Sequence, residues 1–280
     1  MSRNIPLTLS SWTLGDECSF EQRIKAASQA GFDGVGLRAE NYIDAIHSGL
    51  TDDDLLEILD KYQIKVTEVE SITKWAEDDM PYEMKYKEQI CYHMCRLFGV
   101  NHINVFLLEE YPLDYVSKKL KKLCLRAGDL KIALEPMPYS GIYDYLDGYE
   151  IIKKSGMNNA YLILDNWHWV KADHNYNETL AKEISEKVIS IQLNDSYQRS
   201  YAEDFLRTES MHDRLLPNQG QNNTTGFVEM IKKSGIRPKI ISAEVNSDDL
   251  LNMGINKAAK MAFDSTKNVL NKSWPEVLKY

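Results

Sequence analysis

A chain of 280 residues with 43% hydrophobic and 27% charged side chains is typical of a soluble protein with one large core, and its length suits an α/β barrel better than a single sandwich domain. The formal net charge of −9 and the absence of a basic stripe argue against nucleic acid as a partner. No apolar stretch approaches the ~20 residues that span a bilayer, and the N-terminus has no apolar signal segment, so we expect a cytoplasmic protein that does not enter membranes.

Short apolar runs alternate with helical patterns along the whole chain. Most of the runs are rich in Val, Ile and Leu without strict alternation, as expected of parallel strands that are covered by helices. The predicted strands are Leu7–Trp12, Gly34–Arg38, Ile64–Glu70, His102–Leu107, Lys131–Glu135, Tyr161–Asp165, Val188–Leu193 and Ile240–Val245.

The helices between these strands have recognisable beginnings and ends. Ser19 and Gln22 form a capping-box pattern at the start of the first helix, and Gly31 stands at its preferred end position. Thr51 begins the second helix, with acidic residues in its first turn. The later helices are predicted at about 82–98, 113–127, 144–155, 177–186, 224–234 and 254–271.

Eight strand–helix units in this order predict a single (β/α)8 TIM barrel that spans residues 1–280. An open doubly wound sheet is the alternative, but it would require a glycine-rich phosphate loop after the first strand, and residues 9–15 do not form one. The longest irregular stretch, residues 196–223, follows the seventh strand. A loop of this length in a compact domain is usually functional, so we interpret it as a loop that covers the barrel mouth.

Four oxygen-bearing side chains close four consecutive apolar runs. They are Glu135, Asp165, Gln192 and Glu244. Because the carboxyl ends of all barrel strands open onto one mouth, we expect these side chains to converge and to bind one divalent metal ion. An all-oxygen ligand set favours Mn²⁺, Mg²⁺ or Co²⁺ over a structural zinc. The alternative is that some of these residues cap the following helix, which applies most to Asp165 because aspartate caps are common.

Several further residues near the strand ends are candidates for substrate binding. His168 lies one turn beyond Asp165 and could contact a substrate hydroxyl, although a packed loop histidine is the alternative. Asp195 follows Gln192 by three positions and could orient it or bind substrate, unless it is a solvated loop acid. Arg214 could bind a substrate hydroxyl or phosphate, and an ion-paired loop arginine is equally consistent with the sequence.

The second and third strands also end in charged residues. Arg38 and Glu70 should face the barrel mouth. Trp12, at the end of the first strand, could form an apolar wall against the C–H face of a sugar, although aromatic residues at barrel ends more often serve packing.

The motifs at these strand ends resemble those of the sugar phosphate isomerase/epimerase family, which has a xylose-isomerase-like TIM barrel. The resemblance extends over nearly the full length. It rests on the segments Ser11-Trp-Thr-Leu-Gly, Ala30-Gly-Phe-Asp-Gly-Val-Gly-Leu-Arg, Leu134-Glu-Pro-Met-Pro, Leu164-Asp-Asn-Trp-His-Trp, Ile191-Gln-Leu-Asn-Asp and Ala243-Glu-Val.

The resemblance implies roles for individual residues. Glu135, Asp165, Gln192 and Glu244 match the metal ligands, and Zn²⁺ is also compatible with such a site. In ketose 3-epimerases of the family, the glutamates that match Glu135 and Glu244 also exchange the substrate proton on opposite faces. His168 matches a histidine near the substrate carbonyl or hydroxyl. Relatives often form dimers or tetramers, so a homo-oligomer is expected.

The chain departs from the family pattern at two places. Many members have histidine where Gln192 stands. The loop motif Pro-Gly-Glu-Gly is replaced by Pro217-Asn-Gln-Gly220, which removes a carboxylate and a flexible glycine.

These observations predict a metal-dependent isomerase or epimerase of a small sugar or related hydroxycarbonyl, in which Glu135 and Glu244 act as base and acid through an enediolate. A dehydratase of an inosose-like or dehydroshikimate-like compound is the main alternative. A DNA-repair endonuclease of the same fold is disfavoured by the acidic chain and by the lack of strand-end histidines for a multi-zinc cluster. A fourth hypothesis is a non-catalytic sugar-binding or regulatory protein with a decayed site.

Overall fold

The computed structural model describes residues 3–174, 177–197 and 203–279. Eight parallel strands close into a barrel, each paired with the next along the chain and the eighth with the first. The predicted (β/α)8 barrel is therefore confirmed. The strands are β1 (Leu7–Leu9), β2 (Gly34–Arg38), β3 (Lys65–Ile72), β4 (His102–Val105), β5 (Lys131–Leu134), β6 (Ala160–Asp165), β7 (Val188–Leu193) and β8 (Ile240–Ala243).

The helices lie outside the barrel and include several that the sequence patterns did not predict. In order, the described helices are α1 (Phe20–Ala30), α2 (Ala39–His47), α3 (Asp52–Lys61), α4 (Tyr82–Phe98), α5 (Leu113–Ala127), α6 (Tyr145–Ser155), α7 (Asn166–Lys171), α8 (Glu178–Glu183), α9 (Glu203–His212), α10 (Thr224–Lys233), α11 (Asp248–Leu251) and α12 (Ile255–Ser273). The additional helices are α2 and α7, which follow β2 and β6 without a break, the four-residue α11, and α9, which lies in the stretch predicted to be irregular.

Local signals explain where the main helices begin and end. Ser19 and Gln22 form the reciprocal hydrogen bonds of the predicted capping box. Gly31 ends α1 with a φ of 105°, in the left-handed region where glycine has no steric penalty. Thr51 and Asp54 form a second capping box at the start of α3.

The barrel interior changes from apolar to polar along its axis. Toward the amino ends of the strands, a small cluster of Ala133, Ile163 and Ile189 fills the space. Above it, the carboxylate of Glu68 accepts a hydrogen bond from Ser242 Oγ at 3.1 Å. Because β3 and β8 are not neighbours, this bond crosses the interior. The polar layer supports the groups at the carboxyl ends of the strands.

The structure also describes the state of the cysteines and the character of the helices. All four cysteines are free thiols. Within the described residues, none of the helices combines the length and apolar character needed to cross a membrane.

Candidate metal and active site

Three carboxylates converge at the carboxyl ends of β5, β6 and β8. Glu135, Asp165 and Glu244 each present an oxygen atom, and these atoms all lie within 4.8 Å of one another. All three residues are buried. The fourth predicted ligand, Gln192, is also fully buried, and its Nε2 donates a hydrogen bond to Glu244 Oε2. The structure therefore brings the four predicted metal-binding residues together.

Asp165 both caps a helix and belongs to the carboxylate cluster. It is the N-cap of α7, because its Oδ1 accepts a hydrogen bond from the backbone N–H of His168 at 2.9 Å. Its Oδ2 accepts a hydrogen bond from Asn194 Nδ2 at 2.6 Å. The capping alternative for Asp165 is thus present, but it does not remove the carboxylate from the cluster. Capping fixes the side chain in place and leaves it facing the other acids.

The donor set fits a divalent cation. Gln192 Oε1 is a buried acceptor that has no hydrogen-bond partner among the described residues. Burial and the charge of Glu135 raise the pKa of Glu244 well above its ordinary value, against the opposing charge of Arg214. A bound dication would stabilise both the unpartnered acceptor and the mutually repelling carboxylates.

Arg214 adds a fixed positive charge beside these acids. Its Nη1 lies 2.9 Å from Asp165 Oδ2 and 3.4 Å from Glu244 Oε1. Its Nε and Nη2 donate to the carbonyl and hydroxyl oxygens of Ser210, both at 2.8 Å. Burial alone would lower the pKa of Arg214, but the two carboxylates raise it. Arg214 is therefore permanently charged and partly offsets the cluster's negative charge.

His168 lies between the carboxylate cluster and two aromatic side chains. Its Nε2 lies 3.4 Å from Glu135 Oε1 and 3.2 Å from Arg214 Nη2. Its ring contacts those of Tyr139 and Trp167. The side chain is 1% exposed, which places it in the site and not on a surface loop.

A cavity of about 110 Å³ opens above this cluster. Both charged and apolar side chains line it. Trp12 lines it, as predicted from the sequence, whereas Arg38 and Glu70 do not. The lining residues are Trp12, Phe106, Leu108, Glu135, Met137, Tyr139, His168, Arg207, Met211, Arg214, Glu244 and Asn246.

Sequence reasoning missed the contribution of α9 to this cavity. Arg207 and Met211 belong to that helix, within the stretch 196–223 that was predicted as irregular. The segment from Glu203 to His212 contains no glycine or proline, and that absence could have indicated a helix. Residues 198–202 of the same stretch lie outside the described residues.

Arg38 and Glu70 belong to a neighbouring polar network. The Arg38 guanidinium lies 4.1 Å from the centre of the Trp12 ring and pairs with Asp16. Glu70 Oε1 accepts a hydrogen bond from Ser11 Oγ at 3.1 Å. Arg38 thus positions Trp12, and this contact is better supported by the structure than direct contact with a substrate.

Glu68 is a buried acid that the sequence analysis did not single out. Asn104 Nδ2 donates to Glu68 Oε1 at 2.9 Å and lies 3.5 Å from Glu70 Oε2. Burial, together with the charge of Glu70, raises the pKa of Glu68 to about 8. Burial and the charge of Glu135 likewise raise the pKa of Glu70. An uncharged Glu68 can hold this interior network together at neutral pH without adding to the negative charge.

Asp195 is engaged with the loop that follows it. Its Oδ1 accepts from the backbone N–H groups of Ser196 and Asn222, both at 2.8 Å, and its Oδ2 lies 3.3 Å from Thr224 Oγ1. These contacts occupy the carboxylate. They indicate that Asp195 orders the chain around the site, and Asp195 is not among the residues that line the cavity.

The altered loop motif has a clear structural basis. Asn218 adopts a φ of 62°, a left-handed conformation that asparagine tolerates better than most residues. Its side chain also bonds the backbone N–H and hydroxyl of Thr225. A Cβ on Gly220 would lie 2.2 Å from the carbonyl oxygen of Ser196. Asn218 can therefore stand where the motif has its first glycine, whereas a side chain at Gly220 would force the neighbouring backbone to shift.

Comparisons with known proteins agree with this architecture. The family model for the xylose isomerase-like TIM barrel matches residues 24–269. An inosose isomerase from Halalkalibacterium halodurans is 22% identical over 258 residues, which cover 86% of this chain and 88% of that protein.

Solved structures show the same fold. The IolI protein, whose crystal structure contains a bound zinc atom, superposes with a TM-score of 0.84 at 19% identity and covers 96% of this chain and 99% of its own. An L-ribulose 3-epimerase superposes with a TM-score of 0.71 at 13% identity, covering 98% of this chain and 96% of its own. From the match of the family model over most of its length, the chain belongs to the xylose isomerase-like TIM barrel family.

Proposed function

We propose that this protein is a divalent-metal-dependent isomerase or epimerase of a small sugar or related hydroxycarbonyl. The observation that carries the proposal is the convergence of Glu135, Asp165 and Glu244, with the unpartnered Gln192 Oε1, beneath a small cavity. The similarity to an inosose isomerase and to an L-ribulose 3-epimerase supports this reaction class.

The charges of the site suit a bound dication. Glu135, Asp165 and Glu244 carry three negative charges when ionised, and Arg214 supplies one positive charge. A divalent ion brings the sum −3 + 1 + 2 to zero. Glu135, Asp165, Gln192 and Glu244 would hold the ion. When bound, it would polarise a substrate carbonyl and stabilise negative charge that develops on oxygen.

Glu135 and Glu244 are the candidates for proton transfer. They directly follow β5 and β8, which are three strands apart around the barrel, so their carboxylates reach the cavity from different directions. One glutamate removes a proton from the carbon beside the carbonyl, and the other returns one to the opposite face for epimerisation. His168 and Arg214 also line the cavity and can donate hydrogen bonds to substrate oxygens.

The walls of the cavity suit a compact polyol with an exposed C–H face. Trp12, Phe106 and Met137 provide apolar contact. These apolar side chains would also limit the access of water to the carbon that loses its proton.

The test follows deuterium uptake in D₂O with Mn²⁺ and a panel of ketoses and inososes. We expect exchange at the carbon beside the carbonyl in the wild type, and a loss of about 100-fold or more in Glu135→Gln and Glu244→Gln. Glu229→Gln, an exposed change on α10, is the matched control. Metal content is measured in each variant, because both glutamates are also proposed ligands.

Two outcomes would refute parts of the proposal. Wild-type exchange rates in metal-loaded Glu135→Gln and Glu244→Gln would remove the acid–base assignment. Release of water from the substrate, seen as a product lighter by one water molecule, would replace the isomerase assignment with a dehydratase.

A further inference from the structure

Cationic side chains surround the N-terminal end of the barrel, opposite the metal site. Lys65 and Lys131 are the first residues of β3 and β5, Lys187 and Lys239 immediately precede β7 and β8, and Arg237 lies nearby. Within the described parts of the chain, none of the five forms an ion pair with a carboxylate, although the protein carries a net charge of −9. Positive charge on this face is therefore not neutralised by acidic side chains.

The negative C-terminal ends of the outer helices explain only part of this concentration of positive charge. The C-termini of the outer helices lie at the same end of the barrel and attract cations. At the end of α5, however, Asn159 Nδ2 already bonds three carbonyl groups. Lys187 donates to the carbonyl of Ala160 at the start of β6. The described residues offer no hydrogen-bond acceptor to the ammonium groups of Lys65 and Lys239, so these two are available to a ligand.

A cavity of about 480 Å³ lies between these two lysines and the ends of α3 and α4. It is larger than the cavity above the metal site and within the ~300 to 1,000 Å³ range of small-molecule sites. Its polar lining residues are Lys65, Thr67, Asn101, His102 and Lys239. Its apolar lining residues include Leu56, Leu59, Leu97, Phe98 and Ile240.

His102 gives an independent indication of a ligand. It lines the cavity and is 2% exposed, and its Nε2 has no hydrogen-bond partner among the described residues. Burial, with a smaller effect of the Lys131 charge, lowers the pKa of His102 to about 4. The imidazole is thus neutral at pH 7, and buried polar atoms of this kind are normally hydrogen-bonded.

The apolar side of the cavity also has an exposed component. Leu56, on α3, is 39% exposed, although the neighbouring Leu59 is buried. A leucine that faces an open cavity beside Phe98 provides apolar surface that a ligand could cover.

We propose that this cavity binds a phosphate monoester with an apolar body. The two unpaired ammonium groups of Lys65 and Lys239 match a dianion, and His102 and Asn101 can donate hydrogen bonds to its oxygens. The apolar body lies against Leu56, Leu97 and Phe98. The site lies at the end of the barrel remote from the proposed catalysis and is independent of it.

The experiment measures binding of three probes to the Mg²⁺-loaded protein by calorimetry: phenyl phosphate, inorganic phosphate and phenol. We expect phenyl phosphate to bind most tightly, since it alone uses both sides of the cavity. The double variant Lys65→Gln/Lys239→Gln should weaken its binding about tenfold or more. Lys25→Gln/Lys257→Gln, which removes two exposed charges elsewhere, should leave it unchanged.

A second variant tests the apolar side separately. Leu56→Asn should weaken phenyl phosphate but leave inorganic phosphate unaffected. The proposal is overturned if phenyl phosphate binds the double lysine variant as tightly as the wild type, if inorganic phosphate matches phenyl phosphate, or if none of the probes binds at millimolar concentration. Proton exchange in D₂O, measured on the same samples, reports on the active site independently.

Discussion

Gln192 Nε2 donates a hydrogen bond to Glu244 Oε2, and Gln192 Oε1 has no partner among the described residues. The bond fixes which end of the amide faces the glutamate and leaves the oxygen free for another contact. An amide in this position would thus provide a neutral oxygen ligand in the proposed metal site.

Replacing Gln192 with methionine should reduce metal affinity with little change in packing. Methionine has a similar volume but lacks the amide oxygen and the donor to Glu244. We expect Mn²⁺ to bind about 10- to 100-fold more weakly, measured by calorimetry. Ser190→Ala, a buried change on the same strand, is the control. Wild-type affinity in Gln192→Met would exclude Gln192 as a ligand.

Arg214→Met should destabilise the protein in a metal-dependent manner. Without Arg214, the buried carboxylates of Asp165 and Glu244 lose their cation, which costs about 3 to 5 kcal/mol in the metal-free protein. Saturating Mn²⁺ should reduce this loss, because the dication offsets the same charges. The free energy of unfolding is measured by denaturant titration, in EDTA and in Mn²⁺.

The control for Arg214 is Arg126→Met, which breaks an ion pair with Glu88 on the outer helices. Its effect on unfolding should be the same with and without metal. If Arg214→Met also shows equal losses under both conditions, Arg214 and the metal do not act on the same charges.

The sequence predicted the barrel and the four-residue cluster because both depend on regular spacing. Glu135, Asp165, Gln192 and Glu244 each close an apolar run, and parallel strands bring their ends together. The sequence could not predict which of the carboxylate and amide oxygen atoms would accept hydrogen bonds from other parts of the chain. Both carboxylate oxygens of Asp195 contact residues of the following loop. Those residues lie 25 to 30 positions further along the chain, so the contacts depend on the tertiary fold.

The pKa shift of Glu68 predicts a pH-dependent contribution to stability. Its pKa is raised from 4.5 to about 8, so between these values the folded protein holds a proton that the unfolded chain has released. Stability from this group is present below pH 4.5 and falls as the pH rises through 8. In Glu68→Gln, melting temperatures measured between pH 5 and 8 should decline less than in the wild type.

The exposed variant Glu229→Gln, by contrast, should follow the wild-type dependence on pH. A Glu68→Gln profile parallel to the wild type would show that Glu68 is ionised in the folded protein. Glu68 shares a strand face with Glu70, two residues further along β3, so alternation along this strand could have identified it.

Gly220→Ala should disturb the loop beside the site. The added Cβ would meet the carbonyl oxygen of Ser196 at 2.2 Å and Asp195 Oδ1 at 2.6 Å. We expect a loss of about 1 to 3 kcal/mol in the free energy of unfolding, measured by denaturant titration. Gln219→Ala, at the exposed neighbouring position, should change it by no more than about 0.5 kcal/mol. Equal stability of the two variants would show that the loop can shift freely.

Titration of the metal-stripped protein with Mn²⁺, followed by electron paramagnetic resonance, measures whether the strand-end residues form a metal site. We expect one tightly bound Mn²⁺ per chain in the wild type and marked loss of that binding in Asp165→Asn, with Asp213→Asn unchanged. Absence of stoichiometric Mn²⁺ binding in the wild type, or full binding in Asp165→Asn, would contradict a metal site formed by these strand-end residues.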